Sequence, residues 1–105
     1  MYVQRVTATG MAVTGTGSAA VTTITVPNSV TFVAGGIYDI LLRTQTPALT
    51  DGTIVNITNG AGQAGSIMQR CTANYARSRA LGWRQVIRVQ YFDDPAHFII
   101  LGVRG

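Results

Sequence analysis

One histidine, one cysteine and four aspartates are the only imidazole, thiol and carboxylate side chains in this sequence, because glutamate is absent. A nucleophile with a histidine base would therefore have to pair His97 with Cys71. Arg70, next to Cys71, is a neighbour that could lower a thiol pKa, yet a single cysteine beside a strand pattern reads first as a small buried hydrophobe. Asp93 and Asp94 could form a carboxylate pair. Adjacent aspartates before Pro95 are more simply turn formers, whose side chains hydrogen-bond nearby backbone. Adding His97 gives three metal ligands within five residues and no second cluster to complete a shell. The expectation is a non-enzymatic protein with no catalytic residue, cofactor or metal.

Two further motifs are formal matches only. Gly60-Ala61-Gly62-Gln63-Ala64-Gly65 satisfies G-x-G-x-x-G. A dinucleotide loop also needs a helix after it and an acid about 20 residues on, and residues 80 to 90 contain no acid. A glycine-bearing β-turn is the reading that fits. Asn56-Ile57-Thr58 has the form of a glycosylation sequon, but it lies inside a strand pattern.

The arginines carry more information. All eight bases are Arg and all four acids Asp, giving a net charge of +4. Arg presents a planar, bidentate fork and is enriched at protein interfaces, where Lys is depleted. Between Gly52 and Phe92 there is no acid, and Arg70, Arg77, Arg79, Arg84 and Arg88 are interleaved with Tyr75, Trp83 and Tyr91. Arginine and tryptophan are typical interface anchors, so the expected partner-binding residues are Arg70, Arg77, Arg79, Trp83, Arg84 and Arg88, facing an acidic protein. The alternative is a nucleic-acid-binding β-barrel that uses the same Arg70 to Arg88 segment for phosphate neutralisation and base stacking. A carbohydrate platform of Trp83, Tyr75 and Tyr91 is a third reading.

The elements that must position these residues read as strands. Val86 to Phe92 and His97 to Val103 flank Asp93-Asp94-Pro95-Ala96, a hairpin with a four-residue connection. Its first strand alternates, whereas Phe98-Ile99-Ile100-Leu101 is apolar on both faces and so is expected to be central or to lie in a subunit interface. Phe98, Ile100 and Leu101 are the expected oligomer contacts. Val21 to Val26, Val30 to Ala34, Ile37 to Arg43, Thr53 to Thr58 and Ser66 to Arg70 supply further strands, separated by Gly, Pro, Asn and Asp. Only Asn74 to Leu81 could hold a helical turn. The pattern predicts an all-β sandwich or barrel of about seven or eight strands. Residues 1–18, rich in Thr and Gly, read as an extended N-terminal arm or edge strand, and residues 19–105 as the sandwich domain.

Composition limits the setting. At 105 residues the chain can bury one core. Charged residues make up 11%, well under the roughly 25% usual for soluble domains, so a polar uncharged surface or a partner has to cover the rest. A single cysteine precludes an internal disulfide framework and suits folding in a reducing cytoplasm. The basic start and apolar run of a secretory signal are missing, as is any stretch near the 18 or so apolar residues of a membrane span.

Val30-Thr31-Phe32-Val33-Ala34-Gly35-Gly36-Ile37-Tyr38-Asp39-Ile40, together with Val89-Gln90-Tyr91-Phe92 and Ala96-His97-Phe98-Ile99-Ile100-Leu101, resembles the small all-β auxiliary capsid, decoration and head-fibre-type proteins of tailed bacteriophages. The similarity is one of pattern and covers residues 20 to 103. It implies a jelly-roll-like sandwich, often trimeric, that is made in the host cytoplasm, resides in the virion and binds the capsid or another virion protein. The lack of Lys and Glu departs from that family.

Overall fold

The computed structural model describes residues 3–15, 21–43, 48–49, 54–67, 79–80 and 85–104. Eight strands form one mixed sheet: β1 (Val3–Thr7), β2 (Gly10–Thr14), β3 (Val21–Thr25), β4 (Ile37–Leu41), β6 (Ile54–Thr58), β7 (Ala64–Ile67), β9 (Val86–Asp93) and β10 (Ala96–Arg104). Their order is β1-β4-β9-β10-β7-β6-β3-β2. A separate antiparallel pair joins β5 (Ala48–Leu49) to β8 (Arg79–Ala80). No helix occurs among the described residues.

The sheet is curled into a half-barrel, and its connectivity requires this. Strands β1 and β2 lie at opposite edges, yet only Ala8 and Thr9 separate them. Ala8 N–H donates to the Leu41 carbonyl on one side and Thr9 N–H to the Thr25 carbonyl on the other, both within 2.9 Å. Two residues can reach both edges only if the sheet bends round to bring them together. Residues 3–14, expected as part of an arm or edge strand, are thus the two edge strands themselves, and they bury Val6 and Ala8 in the core.

Alternation decides what fills the curl. Ile24, Ile40, Ile57, Ile87, Val89, Phe98 and Ile100 all point inward and are essentially inaccessible to solvent. Burying side chains of this size contributes roughly 1.5 to 3 kcal/mol each, before the entropy of ordering them is set against it. β10 is central, paired with β9 on one side and β7 on the other. Phe98 and Ile100 belong to this core, so they are not available to a second copy, contrary to expectation. Leu101 alone of that trio is exposed. The reason is parity, since inward residues of a strand buried in its own domain look the same in sequence as residues buried in an interface.

Phe32 closes one end of the curl. Its ring packs edge-on against Tyr38 and Phe98, each with centroids 5.0 Å apart, and lies 5.4 Å from Tyr91. Val30 to Ala34, expected as a strand, is not one. The Gln63 side chain takes the place of a neighbouring strand. Its Oε1 accepts from Phe32 N–H at 2.8 Å, and its Nε2 donates to the Phe32 carbonyl at 3.0 Å. Buried Asn59 holds that amide, donating to Gln63 Oε1 and the Val30 carbonyl while its own Oδ1 accepts from Ala61 and Gln63 N–H. The glycine-rich segment is therefore an Asx-type turn between β6 and β7, followed by a strand. Gly36 allows the crossover to sit close, because a Cβ there would lie 2.8 Å from the Tyr38 hydroxyl.

In the β9–β10 hairpin, Asp93 pairs with Ala96, so the connection is two residues, Asp94 and Pro95, joined by a cis peptide bond. The strands run one residue further into the turn than their apolar pattern implies. Of Ser66 to Arg70, residues 66–67 lie in β7 and the remainder falls outside the described residues. Within Asn74 to Leu81, where a helical turn was expected, Arg79–Ala80 is extended because it pairs with Ala48–Leu49, and the rest lies outside the described residues.

Replacing Phe32 with Ala is expected to cost about 3–5 kcal/mol in chemical denaturation, as for other large-to-small changes at buried aromatics. A loss under about 1 kcal/mol would show that the end plug adds little. Deleting residues 1–14 should abolish cooperative unfolding, because it removes both edges of the sheet.

Candidate functional site

The outer face of the curl carries a charged row across four strands. The register aligns Arg5 on β1 with Asp39 on β4, Asp39 with Arg88 on β9, and Arg88 with Gly102 on β10. Asp39 is only 4% exposed although it sits on the outward side of its strand. Arg88 grips it in a fork, Nε donating to Oδ1 at 2.8 Å and Nη2 to Oδ2 at 3.0 Å. Arg104 Nη2 donates to Oδ2 at 2.9 Å.

Arg104 reaches this face because β10 is irregular. Phe98 and Ile100 point inward, and strict alternation would carry Arg104 inward too. The pairing shifts between Ile100, opposite Val89, and Gly102, opposite Arg88, which leaves Leu101 unpaired. This bulge inverts the parity of the strand end. Val103 then packs on the core, and Arg104 turns out towards Asp39.

The hydrogen-bonded Arg88 guanidinium is the main cause that holds the Asp39 carboxyl below its ordinary value of 3.8. Burial opposes that effect, and the charges of Arg88, Arg104 and Arg5 add to it. Arg88 is raised in turn by its bond to Asp39. Beside this cluster lies an open depression of about 430 Å³, lined by Arg5, Thr7, Asp39, Leu41, Val86 and Arg104 among others. Arg5 makes no ion pair or hydrogen bond among the described residues and acts on Asp39 only through space. The arrangement suits a planar anion: guanidinium groups held in place by a buried carboxylate, with apolar Leu41 and Val86 beside them.

Of the expected partner-binding residues, Arg88 is in this cluster. Arg70, Arg77, Trp83 and Arg84 lie outside the described residues, and Arg79 is described only as backbone in β8. Tyr75 and Cys71 also lie outside them, while Tyr91 is buried against Phe32 and Phe98. His97 stacks on Phe92 with centroids 5.3 Å apart, and its Nδ1 donates to the Pro95 carbonyl at 2.6 Å, bracing the turn. Asp93 and Asp94 are exposed at that turn. Among the described residues, no three His, Cys, Asp or Glu side chains gather in a metal-binding group.

Arg5, Asp39 and Arg104 were not singled out by the sequence reading. One signal was present: alternation places Asp39 on a face with Ile37 and Leu41, and a carboxylate in such a row needs a cation across the strand. Arg104 had no such signal, because strict alternation assigns it to the wrong face. Compared with protein-family models, curated proteins and solved structures, the chain matches none.

A lowered folded pKa means that Asp39 adds stability that is complete above its unfolded value of about 3.9 and is lost as pH falls through the folded value. Asp39→Asn should therefore be less stable than wild type at neutral pH, and the difference should shrink as pH is lowered below about 4. Denaturant midpoints measured from pH 7 to pH 2 check this, and a difference that stays constant with pH would contradict it.

Proposed function

We propose that the chain is a non-enzymatic structural protein of the virion, an oligomeric auxiliary or decoration protein of the bacteriophage type that binds the capsid or another virion component. The observation carrying this reading is the outer face, where Arg5, Arg88 and Arg104 surround Asp39 beside the exposed side chain of Leu101. The Arg88 and Arg104 guanidinium groups, already bound by Asp39, lose little freedom on docking, which suits a protein contact. Leu101, 42% exposed and lining a depression with Arg88 and Arg104, is the kind of apolar group that an interface covers.

The finer fold assignment belongs to the same reading. The sheet divides into β1-β4-β9-β10 and β7-β6-β3-β2, which are joined through only two register pairs, His97 with Ser66 and Phe98 with Ile67. Four strands folded over four, with the β1–β2 segment passing from one half to the other, fit a jelly-roll-like sandwich. The expected assembly is a homotrimer, made in the host cytoplasm and carried on the particle.

For the alternative, nucleic-acid binding through the Arg70 to Arg88 segment, the one arginine of that segment whose side chain is described, Arg88, is bound to Asp39.

Light scattering at micromolar concentration should give a mass of several 11.1 kDa chains, and a monomer would remove the oligomer claim. Leu101→Asp should weaken association about tenfold or more, equivalent to about 1.4 kcal/mol, without lowering the denaturation midpoint. Protein mass spectrometry of purified particles tests the virion assignment, with a fixed copy number per capsid expected and absence from the particles overturning it.

A further inference from the structure

The β9–β10 hairpin is electrically bipolar. At its open end, Arg88 and Arg104 join Arg5 around Asp39, three guanidinium groups against one carboxylate, a surplus of two positive charges. Its closed end carries two carboxylates, Asp93 and Asp94, both exposed and neither in an ion pair among the described residues. Arg104 pairs with Val86 at one end and Ala96 with Asp93 at the other, seven residues along β9. At about 3.4 Å per residue the two charged ends stand roughly 24 Å apart, too far for one to satisfy the other within a single copy.

We propose that copies of this chain associate head to tail, with the Asp93–Asp94 turn of one copy entering the depression beside Arg5 and Arg104 of the next. This rests on the reading of the protein as a homo-oligomer and names the contact. The two surplus positive charges meet two negative ones, so the interface is balanced although each copy carries +4 overall. Among the described residues Arg5 has no hydrogen-bond or ion-pair partner, and Arg104 uses only one nitrogen, on Asp39, which leaves donors of both for an incoming carboxylate. Leu41 and Val86 in the depression offer apolar contact to Pro95 at the tip of the turn. His97 keeps that tip in place from below, through its bond to the Pro95 carbonyl and its stacking on Phe92. A contact between unlike surfaces is heterologous, so it closes into a ring when the rotation between copies permits, and a three-membered ring is one such closure.

The test is sedimentation velocity at low and high salt on five samples: wild type, Arg5→Glu, Arg5→Gln, the double variant Asp93→Arg with Asp94→Arg, and an equimolar mixture of Arg5→Glu with that double variant. Denaturation midpoints confirm that each variant is folded, and Arg5→Gln removes the charge without adding a second anion beside Asp39. Wild type should associate less as salt rises. Each variant alone, Arg5→Gln included, should associate at least about tenfold more weakly, and the mixture should regain association, as pairs at least, because the unaltered Asp93–Asp94 turn of the Arg5→Glu copies meets the unaltered depression of the double-variant copies. A monomeric wild type would remove the homo-oligomer reading itself. An oligomer whose mass is unchanged in every variant would leave that reading standing and overturn the head-to-tail contact. Variants that dissociate without rescue on mixing would overturn it as well. So would oligonucleotide binding that is lost in Arg5→Glu and kept in the double aspartate variant, because the depression would then belong to nucleic acid.

Discussion

Asp39 is the charge on which the first half of the sheet depends. An ionised carboxylate removed from water carries a large solvation cost unless cations and donors meet it. Here the cations come from β9 and β10, with a third on β1 acting through space. The interaction therefore links the N-terminal edge strand to the last strand of the chain. It also discriminates between registers. A one-residue slip of β9 against β4 would turn Arg88 to the core side and bring Ile87 or Val89 to the carboxylate, leaving two buried charges without partners. Correct pairing of β4 and β9 is thus favoured by charge as well as by the apolar set of Tyr38, Ile40, Ile87 and Val89.

The bulge at Leu101 follows from the same demand. β10 must bury Phe98, Ile100 and Val103 while presenting Arg104 on the opposite face, and strict alternation cannot place Ile100 and Val103 on the same side. One unpaired residue resolves the conflict. Its consequence is an exposed leucine beside two arginines, so the device that completes the charge cluster also creates the apolar part of the proposed interface.

At the other end of the curl, polar groups are accommodated differently. The Phe32 ring fills the opening, and its backbone, which would otherwise lose water without gaining a strand partner, is matched by the Gln63 amide. Asn59 fixes that amide, so a glycine-rich turn that resembles a phosphate loop in sequence serves instead as the support for the core plug. Its glycines permit the turn, and the side chains of Asn59 and Gln63 stabilise it.

Local rules were enough to read the all-β class, most of the strands and the turn nature of residues 59–63, because alternation, β-branching and turn residues act over a few positions, whereas β10 was left as either central or part of a subunit interface. The strand expected at Val30 to Ala34 failed because its backbone partner is a side chain 31 residues away, which no local pattern records. Phe98 and Ile100 were misplaced because sequence cannot distinguish burial inside one copy from burial between two. The Asp39 cluster was half legible: a carboxylate among isoleucine and leucine requires a cation, but which cation depends on strand order. Only tertiary structure brought Arg5, Arg88 and Arg104 to one carboxylate, through the parallel pairing of β1 with β4, the antiparallel pairing of β4 with β9, and a bulge that reversed the facing of the chain's last arginine. The sequence by itself determined that these residues form strands. The curl and the bulge decided which of them meet.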